Sequence, residues 1–108
     1  MEKHYISLLN DYYGVLLTKK QEEMLKLFYN EDFSLAEIAE DFKVSRQAVR
    51  DAIKRGEGAL VEFENKLGMA RLYQSLSVNL KQLIEKIENN DGVSAVETAK
   101  SMLALLDE

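Results

Sequence analysis

The chain contains no cysteine, no proline, one histidine and only five glycines among its 108 residues. Without cysteine there is no disulfide framework, no thiolate nucleophile and no cysteine-held zinc or iron-sulfur cluster, which fits a reducing compartment. Without proline, and with so little glycine, both the usual breakers of helices and the usual makers of strand-rich turns are missing. An all-α protein is the expectation. No apolar run approaches the roughly 20 residues of a membrane span, so the sequence reads as a cytoplasmic protein that does not enter membranes. Hydrophobic residues make up 46% and charged residues 31%, a balance that lets a chain of this length bury a core as one domain or a domain with an appendage.

The apolar positions set out the helices. Tyr5, Leu8, Leu9, Tyr12 and Leu16 recur every three or four residues, predicting an amphipathic first helix with its other positions facing water. Thr18 with Gln21 forms a capping box opening a helix that buries Met24, Leu25 and Phe28 and ends near Asn30. Ser34 with Glu37 repeats the signature before a short helix with Leu35, Ile38, Ala39 and Phe42 inward. Ser45 caps the next, which presents Ala48, Val49, Ala52, Ile53, Ala59, Leu60 and Phe63 to the core and runs to about Leu67. Within it Gly56 and Gly58 each weaken a helix by about 1 kcal/mol relative to alanine, marking a kink, a close helix crossing or a boundary.

Beyond residue 67 the pattern changes. Met69, Tyr73, Leu76, Leu80, Leu83 and Ile87 follow the alternating four-three spacing that winds helices together, widened by Leu72 and Ile84. Asn89-Asn90-Asp91-Gly92 reads as a turn, and Ser94 with Glu97 as the cap of a last helix with Val96, Ala99, Met102, Leu103 and Leu106 inward. The organisation is a domain over residues 1–67 and a helical hairpin over 68–108. The hairpin's stripe is wide enough to cover its own partner helix and still serve as a dimerisation element.

Residues 34 to 55 have the spacing of a helix-turn-helix: a short helix, a tight turn plugged by Val44, and a second capped helix held by Val49 and Ile53. At about 100° per residue, Arg46, Gln47, Arg50 and Lys54 share one arc. Net charge is −5 overall, but residues 43–58 carry five positive and two negative side chains while the segments before and after are acidic. A basic island in an acidic molecule therefore coincides with the helix that enters the major groove in this motif, where arginine bonds guanine and glutamine adenine. Arg46, Gln47 and Arg50 are the candidate base readers; Lys43, Ser45, Lys54 and Arg55 are the candidate phosphate contacts. Asp51, on the rim of the arc, opposes phosphate approach.

No constellation supports an enzyme, a cofactor or a metal. His4 lies beside the terminus. Glu22-Glu23 and Glu40-Asp41 diverge on a helix instead of sharing a proton and read as solubility, and Tyr12-Tyr13 and the four methionines fit a core or subunit contact.

Residues 17 to 60, beginning Leu-Thr-Lys-Lys-Gln-Glu-Glu-Met-Leu, resemble the promoter-reading fourth region of bacterial sigma factors. With Leu-Leu-Asn-Asp-Tyr-Tyr-Gly-Val-Leu-Leu-Thr and Tyr-Asn-Glu-Asp-Phe-Ser-Leu-Ala-Glu-Ile-Ala added, the chain is similar to the YlxM family of small bacterial helix-turn-helix proteins. The likeness is strongest through Ser45-Arg46-Gln47-Ala48-Val49 and fades beyond residue 68. It implies a cytoplasmic, all-helical homodimer from a Gram-positive type of bacterium, associated with the signal recognition particle because the family's genes tend to lie beside those of the particle's GTPase and its receptor. Two functions stay open: a DNA-binding regulator, and an adaptor that touches the particle's GTPase or its RNA through the same basic helix.

Overall fold

The computed structural model describes residues 2–107, which form six α-helices and no strand among the described residues. They belong to two compact units, Met1–Gly68 and Met69–Glu108. The first holds α1 (Lys3–Tyr13), a 3-10 turn (Gly14–Leu16), α2 (Lys19–Tyr29), α3 (Leu35–Phe42) and α4 (Arg46–Leu67); the second is a hairpin of α5 (Met69–Glu88) and α6 (Gly92–Leu106). The all-α helix-turn-helix fold expected from the sequence is the fold observed.

In the first unit α4 is the central element, packed by α1, α2 and α3. Ile6, Leu9, Met24, Leu25, Ile38, Val49 and Leu60 are fully buried there, each worth about 1.5–3 kcal/mol relative to exposure. Both capping boxes are present, at Thr18/Gln21 and Ser34/Glu37, and α2 ends at Asn30 as its spacing predicts.

The first helix is turned from its expected phase. Ile6, Leu9 and Tyr13 are its buried residues, while Tyr5 and Leu16 are exposed, and the helix stops at Tyr13. Two stripes with the same three-and-four spacing run along α1, and the one carrying Tyr13 wins because its hydroxyl has a buried acceptor: it donates to Glu64 Oε1 at 2.6 Å. At Gly14, whose φ of −54° any residue can adopt, an added Cβ would stand 2.6 Å from Glu22 Oε2 and 2.8 Å from Asn10 Oδ1, so those two side-chain ends would have to shift to admit it.

α4 also departs from expectation. It is one unbroken helix of 22 residues, so Gly56 and Gly58 mark no boundary. Gly56 is a close crossing: a Cβ there would lie 2.7 Å from Leu25 Cδ1, whereas one at Gly58 would meet nothing within 4 Å. The buried face is Val49, Ile53, Gly56, Leu60 and Glu64. Ala48, expected inward, faces solvent. The helix stops at Gly68, which takes the left-handed conformation (φ 62°) favoured at a helix C-terminus.

In the second unit α6 begins earlier than the Ser94/Glu97 signature indicates, because Asp91 is the cap and accepts from the Ser94 amide at 3.2 Å. Its buried residues are Ala95 and Thr98, not Val96, Ala99, Leu103 and Leu106, all of which are exposed. Small side chains let two helices approach closely, and Lys86 Nζ donates to Thr98 Oγ1 at 2.6 Å across the hairpin. On α5, Leu72, Leu76 and Leu83 are half-buried, while Tyr73, Leu80, Ile84 and Ile87 stay exposed.

Candidate nucleic-acid interface

The turn between α3 and α4 is closed by backbone chemistry before any side chain acts. Lys43 is left-handed (φ 57°), and its N–H and that of Val44 donate to carbonyls of the last turn of α3, Val44 to Ala39 at 3.0 Å. This satisfies carbonyls that a helix end would otherwise leave unpaired. Ser45 then caps α4, its hydroxyl oxygen accepting from the Ala48 amide at 3.0 Å. Buried Ile38 and Ala39 on α3, and Val49 and Ile53 on α4, hold the two helices together. The start of α4 is thereby fixed relative to α3, which aims its outer face.

All seven residues expected to contact nucleic acid, Lys43, Ser45, Arg46, Gln47, Arg50, Lys54 and Arg55, are exposed. They are not one cluster. Arg46, Gln47 and Arg50 line a concavity of about 430 Å³ together with Ser34, Leu35 and Ala36, the N-terminus of α3. Arg55 lines a different one, about 370 Å³, with Thr18, Lys20 and Gln21 at the N-terminus of α2 and with Asp51, whose carboxylate opposes anions there. Lys43 and Lys54 line neither. Among the described residues, no ion pair engages the charged groups of Lys43, Arg46, Arg50, Lys54 or Arg55. Gln47 is engaged: its Nε2 donates to Asp51 Oδ1 at 2.9 Å. The carboxylate on the rim of the arc thus holds the candidate adenine reader one turn along its own helix.

Two helix N-termini therefore flank α4, one beside Arg46 and Arg50 and the other beside Arg55. Each brings amides and the positive end of a helix dipole, which favour anions. Sequence reasoning located both N-termini through their caps but did not assign Ser34, Leu35, Ala36, Thr18, Lys20 or Gln21 to the interface. Local capping signals carry no information about which distant helix lies alongside. Glu37, whose carboxylate closes the α3 capping box, is held below the usual glutamate range, first by the Ser34 backbone amide and then by the Ser34 hydroxyl. No group of three or more histidine, cysteine, aspartate or glutamate residues is placed to hold a metal among the described residues.

Residues 1–102 match a family described as "Putative helix-turn-helix protein, YlxM / p13 like", UPF0122. The chain belongs to this family. A UPF0122 protein of Desulforamulus reducens is 43% identical over 105 residues, covering 94% of this chain and 90% of that one. Another, from Halalkalibacterium halodurans, is 44% identical over 99 residues, with 92% and 85% covered. A third, from Listeria innocua, is 50% identical over 78 residues, with 72% and 71% covered. The match to UPF0122 extends well past residue 68, where the likeness was expected to fade, so the α5–α6 hairpin is part of what the family shares. Among the described residues no helix is long and apolar enough to cross a membrane.

Proposed function

We propose that this protein is a DNA-binding regulatory protein without catalytic activity, which places α4 in the major groove. Arg46, Gln47 and Arg50 read base edges from the concavity they share with the start of α3. Lys43, Ser45, Lys54 and Arg55 hold phosphates, and the N-termini of α3 and α2 add backbone donors on either side. The observation that carries this reading is the exposed basic face of α4 set between two capped helix starts. Gln47 Nε2 carries two N–H donors, so one can stay on Asp51 while Oε1 and the other address adenine; the Asp51 carboxylate orients the amide and opposes phosphate approach beside it.

Dimerisation completes the proposal. The hairpin keeps Tyr73, Leu80, Ile84 and Ile87 on α5 exposed, and Val96, Leu103 and Leu106 on α6. These follow the four-three spacing of a helix-packing seam, and a second copy would cover them. Two recognition helices would then address half-sites about 34 Å apart. With a net charge of −5, non-specific affinity is low and binding depends on a true site read twice.

A second reading is that the same helix meets the GTPase or the RNA of the signal recognition particle as an adaptor; the acidic balance and Asp51 on the arc favour its protein arm only, since both repel RNA phosphates as they repel those of DNA. One experiment serves both. Labelled genomic fragments are titrated at two salt concentrations in parallel with the purified GTPase, with and without its RNA. The DNA reading expects selective, salt-dependent binding to a subset of fragments, and expects Arg50→Glu to cost about 1–3 kcal/mol or more. Affinity indistinguishable from zero at low salt, alongside capture of the GTPase, would replace it with the adaptor.

A further inference from the structure

Between α2 and the end of α3 lies an open groove of about 410 Å³ that shares no residue with the basic face of α4. Its apolar surface is Leu27, Phe33 and Phe42, all half-buried, and its rim carries Glu23, Glu31 and Asp41 against a single lysine, Lys26. The rim carboxylates come from α2, the loop and α3. Glu23 and Asp41, each read from sequence as a solubilising charge, are brought by the fold to the lining of one groove with half-buried Phe33 and Phe42.

The groove is also held in shape. On one side the chain leaving α2 is closed by three backbone hydrogen bonds: Asn30 and Glu31 amides to the Lys26 carbonyl at 2.8 and 3.2 Å, and the Phe33 amide to the Leu27 carbonyl at 3.0 Å. On the other, Phe42 is the last residue of α3 and directly precedes the left-handed closure at Lys43. Both aromatic walls therefore stand on fixed backbone, which reduces the ordering cost of docking.

We infer that this groove is a protein-docking site, whose occupant is an amphipathic segment of a partner protein with apolar anchors flanked by lysine or arginine. The charge of the rim selects a cationic segment and repels nucleic acid, whose phosphates the basic face of α4 would take. An apolar floor of three side chains calls for anchors at helical spacing, as in helix-in-groove recognition. The site is independent of the proposed DNA contact, so a chain bound to DNA through α4 would still have this groove free for a protein.

The probe is a synthetic amphipathic helical peptide of about 14 leucines and lysines, titrated by fluorescence anisotropy and by amide chemical-shift mapping of the full-length protein. Two controls replace its leucines by serine or its lysines by glutamate. Expected are binding that weakens with salt, losses of about tenfold or more with either control peptide and with the Glu31→Lys/Asp41→Lys double variant, and unchanged binding in Arg46→Glu. Shifts should centre on Leu27, Phe33 and Phe42. Both substituted carboxylates are exposed, so the fold should survive, and an unchanged amide spectrum elsewhere verifies it. The inference is overturned if the serine control binds equally, if the double variant binds equally, or if the shifts fall on α5 and α6. It is also overturned if a DNA duplex shifts the Leu27 and Phe33 amides as strongly as those of Arg46 and Arg50, or if raising the protein's own concentration shifts the groove amides, the latter making a second copy the occupant.

Discussion

Lys43 occupies a position that usually falls to glycine, because a left-handed residue with a Cβ costs about 1–2 kcal/mol. Lys43→Gly removes that cost but adds chain entropy to the unfolded state, so its expected effect on stability lies between neutral and about 1 kcal/mol stabilising. The same change removes a proposed phosphate contact. It should lower DNA affinity while reducing the slope of log affinity against log salt by about 0.9; an unchanged slope would remove Lys43 from the interface. Glu57 and Glu37 make opposite predictions for pH. Burial raises Glu57 above the usual glutamate range, even with the Tyr29 hydroxyl donating to it. The folded state then binds more protons than the unfolded state between the ordinary and the raised value, so this contribution to stability falls as pH rises through that window. Glu37 is lowered; its contribution is present above the ordinary value and is lost as pH falls through the lowered one. Denaturant midpoints measured from acid to neutral pH should show Glu57→Gln gaining on the parent as pH rises, and Glu37→Gln falling behind it.

On α4 the two glycines separate propensity from packing. Gly58 faces open space, so Gly58→Ala should stabilise by about 1 kcal/mol, the full difference in helix propensity. Gly56→Ala has the same propensity gain, but its Cβ would stand 2.7 Å from Leu25 Cδ1. Leu25 is itself 1% exposed and has little room to move, and overpacking of this kind costs about 1–3 kcal/mol. Gly56→Ala should therefore be destabilising where Gly58→Ala is stabilising. Thermal unfolding of the two variants checks it, and equal shifts would mean that α2 crosses α4 less closely than the geometry shows. The same helix carries its own polar clamp. Tyr13 is 2% and Glu64 3% exposed, and Tyr13→Phe, which removes the 2.6 Å hydrogen bond, should cost about 1–3 kcal/mol.

For the molecule as a whole, the buried residues of the second unit are the small Ala70, Ala95 and Thr98; Leu72, Leu76 and Leu83 are half-buried, and Tyr73, Leu80, Ile84, Ile87, Val96, Leu103 and Leu106 are left exposed. That distribution is unfavourable for an isolated hairpin in water and is resolved if a second copy covers it. Leu80→Asp with Ile84→Asp should convert a dimer to a monomer, read by light scattering as a fall from about twice 12.4 kDa to 12.4 kDa. Its DNA affinity should fall far more than that of either recognition helix alone would explain, because two linked contacts act at high effective concentration. A parent protein near 12.4 kDa at every accessible concentration would refute the dimer.

Local chemistry decided most of what the sequence determined. The absence of proline, the hydroxyl-to-amide caps at Thr18, Ser34 and Ser45, and the three-residue turn around Val44 fixed the all-α class, the starts of α2, α3 and α4, and the exposed basic arc. Each cap depends on residues within four positions of one another, and the arc on the period of a single helix. What spacing alone left degenerate was decided only in three dimensions. Tyr13 instead of Tyr12 points inward because Glu64, 51 positions away, accepts its hydroxyl. Gly56 is buried because Leu25 crosses it, and α6 turns small side chains toward α5 so that the backbones can approach. The two helix starts that flank α4, and the acid-rimmed groove beside Phe33 and Phe42, likewise join residues from separate helices, and no periodicity within one helix records which of its neighbours it will meet.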